Sequence, residues 1–138
     1  MRAPRMVAGL AVGFVCAAAI AKLAFAALQS VWPEYAAAAP HRAFTLPMLW
    51  SRLCVAAVLT VASGAAAVLV AGDRRAAWVL GSLFVLVSLP PHLYYVWADY
   101  PACYHAAYLL SLVPLACLGG KLVPSRLSRS LHAANPVA

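Results

Sequence analysis

Acidic side chains are almost missing from this chain: Glu34, Asp73 and Asp99 are the whole set. None of them falls in the middle of an apolar run. A proton-coupled exporter of the small four-helix type, which needs a titratable carboxylate at membrane depth, is therefore disfavoured. Charge of either sign is scarce, at 9% of 138 residues, where a soluble domain carries about 25%. With 66% of residues hydrophobic, water is not the main solvent of this fold. The cysteines, Cys16, Cys54, Cys103 and Cys117, fall singly with no C-x-x-C pair, so neither a disulfide framework nor a metal-ligand set is expected. In an apolar run a thiol behaves as a small hydrophobe. No H-E-x-x-H, P-loop, G-x-S-x-G or Rossmann glycine pattern occurs, and the common hydrolases, nucleotide enzymes and metalloproteases lose support with them.

What the chain has instead is four apolar runs, at about 7–28, 47–71, 76–97 and 101–118. Each falls within or close to the ~17–25 residues that cross a hydrocarbon core of ~30 Å. The expected fold is all-α, an integral membrane four-helix bundle forming a single transmembrane domain over 1–138. The third run contains Pro90 and Pro91 after fourteen residues, too few to span alone, so one helix kinked at the pair is expected rather than two elements. Gly72-Asp73-Arg74-Arg75 forms a tight turn, and Pro101 suits the first position of the fourth helix. That helix is expected to stop at Gly119-Gly120, leaving 121–138 as a poorly ordered tail. The first run has a rival reading as a secretory signal peptide: Arg2 and Arg5 form a basic n-region, and Ala24-Phe25-Ala26 resembles a cleavage site. Its apolar stretch exceeds the ~7–15 residues of a signal core, which favours a retained span.

The net charge of +7 is spread over segment ends rather than gathered in one patch, which argues for orientation in a membrane and against a nucleic-acid footprint. With four spans, Arg2, Arg5, Arg74, Arg75, Lys121, Arg126 and Arg129 share one side, and Arg42 stands on the other. Seven basic residues against one predict that both termini and the tail are cytoplasmic. The same orientation would follow for three spans if the first were removed.

Ionisable groups inside apolar runs raise a functional hypothesis by default. Lys22, Arg52, His92 and His105 all fall in the outer part of their helices, with Glu34 and Asp99 in the adjoining outer loops. On the third helix Ser88, His92, Tyr95 and Asp99 share a face if the helix stays regular past the prolines, and on the fourth Tyr104, Tyr108 and Ser111 do the same beside His105. The second helix lines up Arg52, Thr60 and Ser63. An outward-facing, cationic and aromatic pocket of Lys22, Arg52, His92, Tyr95, Asp99, Tyr104 and His105 results, suited to an anion, a quinone head group or a lipid head group. The plainer alternative has Lys22 and Arg52 snorkelling to head groups and the Trp and Tyr residues forming an interfacial belt. For His92 and His105 the plainer alternative is a hydrogen-bonded pair bracing the turn at Asp99, preferred over metal or haem ligation. His41 and His132 carry no argued role. The spacing of Gly9, Gly13, Ala17 and Ala21 suits close helix contact, within the chain as readily as between chains.

The layout resembles the DoxX-like group of small bacterial four-helix membrane proteins. The resemblance rests on Ala21-Lys22-Leu23, a proline-containing outer loop, Gly72-Asp73-Arg74-Arg75 and His92, and extends over residues 5–120. Where members often carry an acidic residue early in the second helix, this chain has Trp50-Ser51-Arg52. The resemblance implies a multi-pass protein of the bacterial inner membrane, sometimes associated with sulfur or quinone redox systems. The residues favour an accessory or small-molecule-binding subunit over catalysis. Membrane lipids are the expected partners, with a larger membrane or redox complex as a further one. No bound cofactor is expected, although a quinone would suit the pocket in a quinone-linked redox subunit. A purely structural bundle within a larger complex is the third alternative.

Overall fold

The computed structural model describes residues 3–124. Its helices are α1 (Ala3–Val31), a short α2 (Pro33–Ala38) continued by one 3-10 turn (Ala39–His41), α3 (Leu46–Ala71), α4 (Arg75–Tyr94) and α5 (Ala102–Leu122). The four long ones are each long and apolar enough to cross a membrane. Together they form the helical bundle expected for a multi-pass membrane protein. Arg2, Arg126, Arg129, His132 and most of the 121–138 tail lie outside the described residues.

Local chemistry explains where the helices begin and end. Thr45 stands at the N-cap of α3 with Pro47 in its first turn, where a missing N–H costs nothing. Gly72 closes α3 in the left-handed region at φ 70°, its N–H donating to the Val68 carbonyl at 2.8 Å, a conformation that penalises residues with a Cβ. One residue on, the Asp73 carboxylate accepts from the Arg75 N–H at 2.7 Å and starts α4. The tight turn expected at Gly72-Arg75 is present.

Helix α4 runs through Pro90 and Pro91 as one element and ends at Tyr94 rather than 97. Its terminator is the Pro91 carbonyl, which accepts from both the Tyr95 and the Val96 N–H groups, at 3.0 and 3.2 Å. Two further boundaries differ from expectation. Helix α1 extends to Val31, and α5 does not stop at Gly119-Gly120 but continues to Leu122. Those two glycines are contact positions inside a helix: a Cβ on Gly119 would overlap the Val61 carbonyl oxygen, and one on Gly120 would come within 2.9 Å of Ala77 Cβ.

Helix α3 is the hub, packed against α1, α4 and α5. Its contact with α5 is backbone on backbone, because Gly64 sits on Ala116 and Gly119 on Val61. Helix α1 closes in the same way, Gly9 against the Ala67 carbonyl and Ala71, and Gly13 against Leu80 and the Ser63 carbonyl. The small-residue stripe of α1 is thus used within the chain, as lipid-embedded helices require where no hydrophobic drive separates protein from lipid. The end of the bundle bearing the Gly72 turn is tightly closed by Ala67, Ala71, Ala76 and Ala77, all buried. Large apolar side chains such as Leu23, Val58, Leu86 and Leu110 point outward, 63–76% exposed, as a lipid-facing surface demands.

Thr60 and Ser63 are fully buried, yet each hydroxyl donates to its own helix, to the Ala56 and Leu59 carbonyls at 2.6 Å. Satisfied in this way, they form part of the packing.

Candidate functional site

The opposite end of the bundle is open. There the α1 stripe continues as Ala17, Ala21 and Phe25, and its alanines leave space rather than filling it. A cavity of about 340 Å³ lies between α1, α3, α4 and α5, floored by Phe14, Leu59, Phe84 and Leu112. A second lobe of about 570 Å³ sits above it beneath α2, bounded by Gln29, Tyr35, Arg42, Phe44 and Tyr100. The two lobes share Phe25, Arg52, Ser88, His92, Tyr104 and Tyr108, which form the neck between them. Each volume falls in the ~300–1,000 Å³ range of small-molecule sites. The exposed residues among the linings are Ala18 and Gln29 on α1, Val87 and Pro91 on α4, and Arg42. The mouth therefore opens sideways between α1 and α4. Below it, Phe14 and Phe84 close the gap edge to face, 4.9 Å between centroids.

Arg52 governs the neck. It turns inward, and its Nη1 donates to the Tyr35 hydroxyl at 3.0 Å. Its guanidinium lies 5.0 Å from the centroid of the Phe25 ring and 4.6 Å from that of Phe44, a pair of cation–π contacts. Its Nε is buried without a partner. The three side-chain carboxylates are elsewhere: Asp73 accepts from the Arg75 N–H at the start of α4, Glu34 is exposed on α2, and Asp99 pairs with Arg42 at 3.2 Å. Arg52 is thus a half-buried cation with no counter-charge among the described residues.

His92 faces the same neck, stacked on Tyr108 at 4.5 Å with the rings 10° apart. Its Nδ1 lies 2.9 Å from the Nδ1 of His105, so one imidazole donates to the other. His105 is 1% exposed, with Trp97 stacked on it at 4.8 Å and its Nε2 unpaired. The pair ties the last turn of α4 to α5. Among the described residues no three His, Cys, Asp or Glu side chains gather as a metal site would need. Ser88 and Tyr108 place their hydroxyls 3.5 Å apart on the neck wall. Above them, burial pushes the Tyr100 phenol above its ordinary range, with Arg52 and Arg42 opposing the shift.

Of the residues grouped from sequence, Arg52, His92 and Tyr104 line the cavity together, with His105 directly behind His92. Lys22 is exposed on α1 and lines neither lobe. Tyr95 is 72% exposed, and Asp99 is bound to Arg42 at the surface. Both were grouped on a face that required α4 to stay regular, and α4 ends at Tyr94. Sequence reasoning missed Phe25, Tyr35 and Phe44, the cage around Arg52. Phe25 was findable as the next four-residue step after Gly9, Gly13, Ala17 and Ala21; Tyr35 required recognising a helix at Pro33 within the outer loop.

No cysteine lines either lobe: Cys54 and Cys103 are exposed and Cys16 and Cys117 half-buried, all four as free thiols. Comparison with protein-family models, with curated proteins and with solved structures finds no match to this chain.

Proposed function

We propose that the chain is a DoxX-like accessory subunit of the bacterial inner membrane that binds a small amphiphilic molecule in the cavity at Arg52, His92 and Tyr104. The observation that carries this reading is Arg52: a half-buried cation with an unpaired Nε and no carboxylate partner, held in an aromatic cage at the neck of an open cavity. A charge of that kind is costly unless something compensates it, and a bound molecule would. The excess of basic residues at the Gly72 end supports an orientation with both termini cytoplasmic and the cavity in the outer leaflet. Retention of the first span is supported by its role as one wall of the cavity. No residue is assigned to catalysis.

The measurement is an organic extract of the purified protein, analysed by mass spectrometry. An amphiphile retained by the native chain is expected to fall about ten-fold or more in Arg52→Met, the value of one charge-assisted hydrogen bond. It should persist in Lys22→Met. Equal retention in Arg52→Met would leave only snorkelling as the role of Arg52.

One observation favours a quinone as the molecule, within a redox complex: the imidazole of His92 stacked on Tyr108 beside the Tyr104 phenol offers donors and flat faces to a carbonyl-bearing ring. A quinone in the extract would support that version. A colourless, quinone-free preparation would remove it.

A further inference from the structure

We infer that the cavity takes a single-chain amphiphile with an oxyanion head, a carboxylate or a phosphate, whose head pairs with Arg52 and whose chain descends toward Phe14 and Leu112. This inference rests on the binding role proposed above and specifies the class of ligand.

The polarity of the site selects the head. Arg52 offers N–H groups only. The Asp and Glu carboxylates lie elsewhere, so the neck carries uncompensated positive charge. Nη1 is engaged by Tyr35 and Nε is buried without a partner, so the guanidinium keeps donor capacity unused while Arg52 lines both lobes. The planar guanidinium carries five N–H donors and no acceptor, which suits the oxygens of a carboxylate or phosphate. The rings of Phe25 and Phe44 hold the guanidinium plane, so little freedom is left to lose on pairing. A neutral alcohol or quinone could accept one hydrogen bond but would leave the charge uncompensated.

The walls select the tail. Below the neck the lining is Phe14, Ala17, Leu59, Phe84 and Leu112. From His92 to Phe84 along α4, and from Tyr104 to Leu112 along α5, the depth is roughly 12 Å at the helical rise. A chain can enter from the side, because the exposed lining residues Ala18, Gln29, Val87 and Pro91 place the mouth between α1 and α4, facing lipid.

The test uses the full chain in nanodiscs of zwitterionic phosphatidylcholine, with radiolabelled dodecanoate, dodecyl phosphate, dodecanol and a decyl-substituted benzoquinone as probes. Saturable binding of dodecanoate or dodecyl phosphate is expected, with dodecanol about ten-fold weaker or worse. The tighter of the two anions identifies the source as a free fatty acid or a phosphate-bearing lipid. Arg52→Gln should lose the preference for anions over dodecanol. The comparison of heads on the native chain stands even if that variant fails to fold. Dodecanol binding as tightly as both anions would overturn the inference. If the benzoquinone binds and neither anion does, the cavity remains a binding site and the oxyanion assignment falls. If no probe binds saturably, both fall.

Discussion

Leucine in place of Gly119 is expected to prevent the bundle from assembling. At this position α5 rests directly on the main chain of α3: a Cβ would overlap the Val61 carbonyl oxygen and lie 2.8 Å from the carbonyl carbon and 3.0 Å from the Ala65 nitrogen. The obstacle is backbone, so rotamer changes cannot relieve it. Retreat of α3 would open its neighbouring close contact at Gly64, where a Cβ would stand 2.9 Å from Ala116 Cα. Overpacking a side-chain core costs about 1–3 kcal/mol, and a main-chain collision should exceed the top of that range. Size-exclusion chromatography and thermal denaturation in mild detergent measure the outcome. Gly119→Leu should lose its monodisperse peak, whereas Ala106→Leu, on an exposed position of the same helix, should behave as the native chain. A Gly119→Leu protein that elutes and melts normally would refute the α3–α5 contact as described.

Phenylalanine in place of Ala21 is expected to do the reverse, abolishing ligand retention while leaving the fold intact. Ala21 lines the lower lobe just beneath the neck. A phenyl ring there has room within about 340 Å³ and occupies the path between Arg52 and the apolar floor. Filling a cavity with an apolar side chain commonly stabilises a protein, so the melting temperature should hold or rise. The retained amphiphile should drop to background. Ala19→Phe, on the exposed side of α1, should retain it fully. Normal retention by Ala21→Phe would mean that the molecule sits elsewhere.

The contrast between these two positions shows what sequence reasoning could and could not reach. Gly9, Gly13, Ala17 and Ala21 form one pattern at a spacing of four, readable as a contact face. Nothing local says that its first half closes on α3 and α4 while its second half leaves a cavity. That difference comes from the partners: the Ala67 carbonyl, Ala71 and Leu80 below, but Arg52, Tyr104 and Tyr108 above. The four spans were legible because a long apolar run has few alternatives in a chain so poor in charge. Helix ends were less so. Gly119 and Gly120 suggest a stop when their packing against Val61 and Ala77 is unknown, and the six residues of α2 are too few to show a helical period.

The site was legible in part for the same reason. Arg52, His92 and Tyr104 stand out as polar side chains in apolar runs, which is a strong signal in a membrane. The aromatic cage of Phe25, Tyr35 and Phe44 does not stand out, because aromatic residues at span ends serve equally as an interfacial belt. The face of Ser88, His92, Tyr95 and Asp99 depended on α4 continuing, and the doubly used Pro91 carbonyl ends it. Arg42 then takes Asp99, and its Nη1 also donates to the Tyr95 carbonyl at 2.9 Å, anchoring the outer loop to the turn after α4.

In the role proposed for it, Arg52 binds a ligand in an occupied cavity rather than snorkelling to the membrane surface. The most direct test is a crystal structure of the native chain grown from a lipidic mesophase. Density for an oxyanion about 3 Å from the Arg52 guanidinium, a hydrogen-bond distance, is expected, continuing as an elongated chain toward Phe14 and Leu112. An Arg52 side chain extended past Tyr35 to the membrane surface, with no bound molecule between Phe25 and Tyr108, would contradict it.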